Sequence, residues 1–542
     1  MADNMSTPPT GSGPPPSGLP LDADTQKLHD MGYAQELSRG VSRFSNFAIS
    51  FTIISILSGC LTAYYYGMQH GGPPTMLWGW VLVGGLVMFV ALAMAEVCSS
   101  YPTAGGLYYW AAKLAPGHSG PAVSWFTGWF NLIGQLAITS GISSGSAYSV
   151  GAFLALWTGN DNWTSPGHLI GYLFVILLVQ GLLNSFGVRL VALLNDISVW
   201  WHIVFVLVIL ITMFIAPVSH THQSASFLFG STGFKNMTGF GLAPLVFLLG
   251  LLNAQYTFTG YDASAHMTEE TVNAAVSGPK GIVDSIWVSW IFGFLVLLAV
   301  SIAIPVTYPV HLSHGLTVTS YEDLATNAVP WAVVFEYNAG HAMALFLVAA
   351  VFVAQFFCGM SSVTANSRMI YAFSRDGAVP FSGFWHRINK RTRTPVNSVW
   401  FGAIGAFILY VPYYWNTVAY AAVISIAVIG LYIAYMLPVL MRRINSKAFV
   451  PGPWKLGRWS APIGWIMIVW ILFICVIFCL PQYKNSPFSW SLVNYAPIAV
   501  GVVVGSAGIW YLVSARKWFK GPKVQGTPEE LAEIERDLAQ FD

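Results

Sequence analysis

Apolar residues come in long, nearly charge-free runs separated by short polar stretches. A helix needs about 17–25 apolar residues to cross a bilayer. Runs of that order occupy 44–68, 76–98, 123–147, 168–186, 191–215, 242–261, 282–306, 342–366, 397–414, 418–440, 464–480 and 496–514. They predict an all-α membrane protein with twelve transmembrane helices. The third run exceeds one crossing, since residues 122–157 stay apolar; the excess is expected to continue as an outer helix or a re-entrant piece. Residues 1–30 instead carry Pro8, Pro9, Pro14, Pro15 and Pro16 among Gly and Ser, the composition of a disordered tail.

Lys and Arg set the direction of the chain, because inner loops of membrane proteins are enriched in both. With the N-terminus inside, all of the 24 Lys and Arg except Lys235 and Lys484 fall on inner loops or tails. Splitting the third run into two spans would invert everything downstream and destroy this bias. A multi-pass protein of the plasma membrane with both termini cytoplasmic is therefore expected. Composition agrees: 8% of residues are charged and 55% hydrophobic, where a soluble domain is about a quarter charged. A net charge of +2 makes no case for a nucleic-acid partner. The basic start of the tail after Ser514 suits anionic lipid headgroups, or equally a solvated face. The five cysteines lie in or beside apolar runs without paired Cys-x-x-Cys motifs, so neither zinc nor a disulfide framework is expected.

Chemistry in a helix bundle belongs where the regular backbone fails, because freed backbone groups then line a cavity. The first run contains Ser58-Gly59-Cys60, small enough to unwind near mid-membrane. N–H groups freed there would hold a carboxylate at the start of the next half-helix; the competing reading is a plain glycine packing contact. In the sixth run, Thr257–Asp262 combines hydroxyls, Gly260 and a carboxylate within an apolar stretch. The two interruptions stand five helices apart, the spacing of broken helices in a five-plus-five inverted repeat.

Four stretches in order carry a resemblance: Ser55–Cys60, Ala95–Trp110, Phe258–Glu270 and Ser367–Pro380. The second and fourth fall on inner loops by this topology. From about Gly32 to Arg516 the chain resembles the amino acid–polyamine–organocation superfamily, in its amino acid/choline transporter branch. The resemblance implies two inverted five-helix halves with broken helices 1 and 6, plus two extra helices. The chain then divides into a largely disordered cytoplasmic tail (1–40), a ten-helix transport core (41–441), helices 11 and 12 with their preceding loop (442–514) and a second cytoplasmic tail (515–542). Substrate would lie between the broken helices, at Ser58, Gly59 and Cys60, where many relatives carry Gly-Ser-Gly. The family's gating aromatic falls at Tyr256, with Phe258 beside it, and Thr257, Thr259, Gly260 and their carbonyls would meet an amine. Asn131 and Gln135 suit the wall of that site, or hydrogen bonds to a neighbouring helix.

In proton-coupled relatives a lysine on the fifth span stands in for a sodium ion, and alignment on Phe186–Arg189 puts His202 there. Histidine titrates near neutral pH, so His202 is the expected carrier of a coupling proton; the alternative is a neutral ring bonded to helix backbone. No other cofactor is expected. Asp262 reads as a cap of the inner half-helix. Glu96, Arg368 and Arg375 read as charges of the cytoplasmic gate, with His266, Glu269, Glu270 and Asp376 nearby.

The function expected is secondary active transport of an amino acid or γ-aminobutyrate-like zwitterion by alternating access. Choline is an alternative solute, given a cage from Tyr256, Phe258 and Tyr261. A polyamine would want several carboxylates in the pocket. A channel would show a filter or charged ring, and an intramembrane enzyme a reactive cluster. His202 and Asp196, six residues apart, sit too far round their helix for a dyad, so no enzyme is expected.

Overall fold

The computed structural model describes residues 22–215, 221–313, 316–416, 418–484, 489 and 493–541. Among them, ten helices are long and apolar enough to cross a membrane: Arg43–Thr62, Gly72–Ser100, Pro166–Ser185, Val188–Ile215, Ala274–Ile302, His341–Arg375, Val396–Tyr414, Ala419–Ile444, Gly457–Cys479 and Ala496–Trp518. Two further crossings complete the set. The third is the helix Gly120–Thr158, and the sixth runs through Ala243–Gly250, Leu252–Thr257 and, after a break, Ala263–His266. The described residues thus form an all-α membrane protein with twelve crossings.

The third helix has 39 residues, about 58 Å at 1.5 Å per residue, so the surplus apolar stretch extends one unbroken helix and does not turn back. Its buried face is studded with Asn131, Gln135, Thr139, Ser140, Ser143 and Ser144. Neighbouring helices satisfy several of these groups: Thr139 Oγ1 bonds Ser362 Oγ at 2.8 Å, and Ser143 Oγ donates to Gln180 Oε1 at 2.9 Å. This polar helix is therefore held inside the bundle, with protein on the sides that lipid would otherwise meet.

Helices five crossings apart meet in pairs. In the first and sixth, Thr257 Oγ1 donates to the Gly59 carbonyl at 3.0 Å. Second and seventh pack through Trp80, whose indole N–H donates to the Trp290 carbonyl at 2.8 Å. The third meets the eighth where Gln355 Nε2 donates to the Ile142 carbonyl at 2.9 Å. Fourth and ninth close on Gly181, where a Cβ would stand 3.1 Å from the Trp400 ring. Such pairing is what two inverted halves produce.

The eighth helix runs on to Arg375. Ser367–Arg375, expected on a loop, is thus helical and carries Arg368 into the bundle. The second stretch straddles an end: Ala95–Ser100 closes the second helix, and Gly106–Leu114 forms a short helix after a turn. Residues 1–21 lie outside the described residues. The expectation of a disordered tail to residue 40 fails for 22–40: Ala23–Asp30 is a helix, and Leu28, Tyr33, Ala34 and Leu37 are buried. The C-terminal segment covers them. Gln525 N–H donates to the Gly32 carbonyl at 2.8 Å, Ala34 N–H to Gln525 Oε1 at 2.7 Å, and His29 pairs with Glu535 at 2.7 Å. Helix Pro528–Ala539 there is started by a Thr527–Glu530 capping box. The opposite face carries the Val310–His311/Thr317–Val318 hairpin and the helices Tyr321–Thr326 and Pro330–Ala339.

Candidate functional site

The first helix stops at Ile54 and restarts at Gly59. Ser55 ends it with φ 47°, a left-handed turn that costs a residue other than glycine about 1–2 kcal/mol. The N–H groups of Ser58 and Gly59 then fold back onto the Ser55 carbonyl, at 3.0 and 2.5 Å. These two donors are therefore occupied, contrary to the expectation that they await a solute. The sixth helix breaks after Thr257, and Gly260 turns the chain with φ 83°. A Cβ at Gly260 would come within 2.2 Å of Ile53 Cγ2, and one at Gly59 within 3.0 Å of Thr257 Cγ2. Glycine at these places lets the two breaks lie against each other.

A cavity of about 360 Å³ opens on the face opposite the termini and descends to Ser58. Its walls include Thr62, Tyr65, Tyr148, Trp331, Gln355 and Tyr420. None of the described residues lining it is Asp, Glu, Lys, Arg or His. Several aromatic faces and a few amide and hydroxyl groups therefore surround a space of small-ligand size.

Of the expected substrate residues, Ser58 alone is part of that lining. Cys60 faces the seventh helix, its Sγ 3.9 Å from the Gly293 carbonyl. The Tyr256 ring is buried, and its hydroxyl has no hydrogen-bond partner among the described residues. Phe258 packs on Trp80 with centroids 4.4 Å apart, and Thr259 Oγ1 donates back to the Tyr256 carbonyl at 2.6 Å. Tyr261 packs beside Tyr435. The aromatic cage from Tyr256, Phe258 and Tyr261 is therefore absent from the cavity wall, and Tyr65, Tyr148 and Tyr420 supply the rings instead.

His202 sits against the first break. Its Nδ1 lies 2.7 Å from the Ser198 carbonyl, which fixes the proton on Nδ1. Nε2, 2.8 Å from Ser55 Oγ, then accepts from that hydroxyl, and Ser55 Oγ in turn contacts Ser58 Oγ. Asp196 accepts from Ser45 Oγ at 3.0 Å and makes no pair with His202.

The face carrying the termini is sealed. Arg368 makes a two-pronged pair with Glu270, at 3.0 and 3.1 Å, with both side chains fully buried. Arg375 pairs with Glu269 at 3.1 Å and lies 3.9 Å over the Tyr33 ring. Asp376 accepts from Tyr108 at 2.8 Å, from Tyr33 at 3.2 Å and from Lys523 N–H at 3.0 Å. Burial pushes the Asp376 carboxyl up from the usual carboxylate range, against the pull of Arg375 and these donors. Glu96 pairs with Arg442 and accepts Leu456 N–H at 3.1 Å, which joins the second and tenth helices. Asp262 does not cap its half-helix. Its carboxylate accepts from Gln135 Nε2 and from the Tyr435 hydroxyl, both at 2.8 Å, and faces His266 at 3.3 Å. Asn131 Nδ2 lies 3.4 Å from the same imidazole. Asn131 and Gln135 thus bond a neighbouring helix and stand apart from the cavity.

Sequence reasoning missed Ser55, Tyr435 and the cavity tyrosines. Ser55 carried a signal, as the first residue of the Ser55–Cys60 stretch; the tyrosines carried none that separates a cavity wall from a helix contact.

Residues 41–504 match the family model described as amino acid permease. The chain is 42% identical to the amino-acid permease BAT1 of Arabidopsis thaliana, over 93% of this chain and 96% of that one. It is 41% identical to the BAT1 homolog of Oryza sativa subsp. japonica, over 92% and 96%. A GABA-specific permease of Saccharomyces cerevisiae is 28% identical, over 94% of this chain and 87% of its own. A cavity open on one face, two broken helices at its floor and a sealed opposite face agree with this match: the chain belongs to the amino acid permease family, and is a membrane transporter of small molecules and not an enzyme.

Proposed function

We propose that this permease carries a net-neutral amino acid or a γ-aminobutyrate-like zwitterion across the plasma membrane, with cytoplasmic termini and protons as the driving ion. The observation behind the solute class is the uncharged cavity wall. A zwitterion brings both charges and needs dipoles, hydroxyls and ring faces. A polyamine or cationic amino acid brings unbalanced charge, and burying it without a carboxylate costs several kcal/mol. The named γ-aminobutyrate permease among the relatives is consistent with this class. His202 carries the driving proton in this reading. Protonation turns Nε2 from acceptor to donor, reverses the Ser55 hydroxyl and so alters the first break next to Ser58.

Choline is the second reading, favoured by the ring faces of Tyr65, Tyr148 and Tyr420 around the cavity. Thermal-shift screening of purified protein against neutral and cationic amino acids, γ-aminobutyrate, choline and polyamines tests the class. Vesicle uptake of the hits, with and without an inward proton gradient, tests the coupling. Preference for polyamines, or uptake indifferent to the gradient, would sink the corresponding half.

A further inference from the structure

Below the sixth-helix break, Asp262 Oδ2 and His266 Nε2 face each other at 3.3 Å, and both side chains are fully buried. His266 Nδ1 is 2.9 Å from the Ala104 carbonyl, so Nδ1 carries a proton. Were this the only proton on the ring, the Nε2 lone pair would be aimed at a carboxylate oxygen. Nor does Asp262 have another cation among the described residues. Arg368 is bound to Glu270 and Arg375 to Glu269, one for one. The other titratable groups packed around it are phenols, Tyr435 and Tyr432 on the tenth helix and Tyr261 beside it. A buried carboxylate without a counter-charge costs several kcal/mol, which two hydrogen bonds offset only in part. A second proton on the pair removes both difficulties. Asn131, whose Nδ2 lies 3.4 Å from Nε2, fits this state after a half-turn of its amide, which lets Oδ1 accept from the imidazolium.

We propose that Asp262 and His266 together bind one proton while the terminal face is sealed, and release it to that side when the gate opens. The proposal rests on the transport reading and adds a site distinct from His202. The pair shares its supports with the gate. Ala104, whose carbonyl receives His266 Nδ1–H, gives its own N–H to Glu269 at 3.0 Å, and Glu269 holds Arg375. Opening the gate therefore disturbs the pair's supports and admits water. Proton release and gate opening are then one event, and acid on the terminal side slows it.

Two measurements test this on the full-length protein. The first is the nitrogen NMR of ¹⁵N-histidine-labelled protein in detergent at pH 7.5. The signal removed by His266→Gln should be an imidazolium, and a neutral ring there overturns the proposal. If that variant does not fold, Asp262→Asn serves, by converting the same signal to neutral; no conversion counts against the pair. The second is solute exchange in vesicles at fixed external pH, with pH varied on the terminal side. Wild type should change rate at least about threefold between pH 6 and 8, and Asp262→Asn/His266→Gln clearly less, with dependence on the external pH kept. A double variant as responsive as wild type removes the release step. Failure of wild type to carry any solute would instead defeat the transport reading, while the nitrogen spectrum still decides the pair.

Discussion

Ser55 Oγ stands 2.8 Å from His202 Nε2, so the break in the first helix and the imidazole of the fifth form one hydrogen-bonded unit. A change in the charge of the ring has to be absorbed by the residue that ends the half-helix. That relationship makes His202 testable from both sides. His202→Ala is expected to abolish accumulation driven by a pH gradient while leaving counterflow exchange. Ser55→Ala should shift the pH dependence of uptake without abolishing exchange, because the ring keeps Ser198. Unchanged gradient dependence in both variants would reduce the contact to packing.

Gly260 offers a steric test of how the breaks meet. Gly260→Ala pays about 1–2 kcal/mol for its left-handed backbone and drives a methyl to 2.2 Å from Ile53 Cγ2. Transport should fall at least tenfold. Adding Ile53→Ala should recover part of it, since the collision goes and the backbone cost stays. Equal loss in single and double variants would mean that the two helices are not in contact there.

The buried Arg368–Glu270 pair predicts an asymmetry in stability. Removing one partner, as in Arg368→Ala, leaves a buried charge and should cost about 3–5 kcal/mol. Replacing both with uncharged side chains of similar size, Arg368→Met with Glu270→Gln, should cost less. Thermal melting in detergent ranks the three proteins; a double variant worse than the single would contradict the burial argument.

The uncharged cavity can be given a charge. Gln355→Glu puts a carboxylate in its wall, and binding should move from zwitterions toward cationic amines by at least tenfold in competition. If selectivity is unaltered, the solute does not meet that wall.

Asp376 gives the seal a pH slope. Burial raises its carboxyl in the sealed state, so that state binds the proton more tightly than one in which the group meets water. The stabilisation is complete below the ordinary carboxylate value of about 3.9 and is lost as pH rises through the raised value. Melting temperature should accordingly decline across that window in wild type and be flatter in Asp376→Asn. Parallel curves would mean the carboxyl keeps its ordinary value.

Much of this was legible in the chain. Gly59 and Gly260 marked both breaks, because small residues inside apolar runs are conspicuous. The positive-inside count kept the long third run as one helix. Other features depend on what lies opposite. Tyr65, Tyr148 and Tyr420 sit in apolar helices, where a ring facing a cavity and a ring facing a neighbour have the same sequence pattern. Asp262 sits where a cap would be, yet its carboxylate is claimed by Gln135 and Tyr435 from two other helices. Residues 22–40 look like tail because their burial comes from the gate residues of distant helices and from residues beyond 515, contacts that no local pattern announces.

The clasp between the two ends of the chain has a consequence for biosynthesis. Ala34 is held by Gln525, 491 residues further on, and Tyr33 and Lys523 meet on Asp376. A ribosome adding roughly 5–20 residues per second needs on the order of half a minute or more to travel that distance. Throughout that interval residues 22–40 lack the C-terminal segment that covers them in the finished protein, so this part of the terminal face is completed only when translation is nearly over.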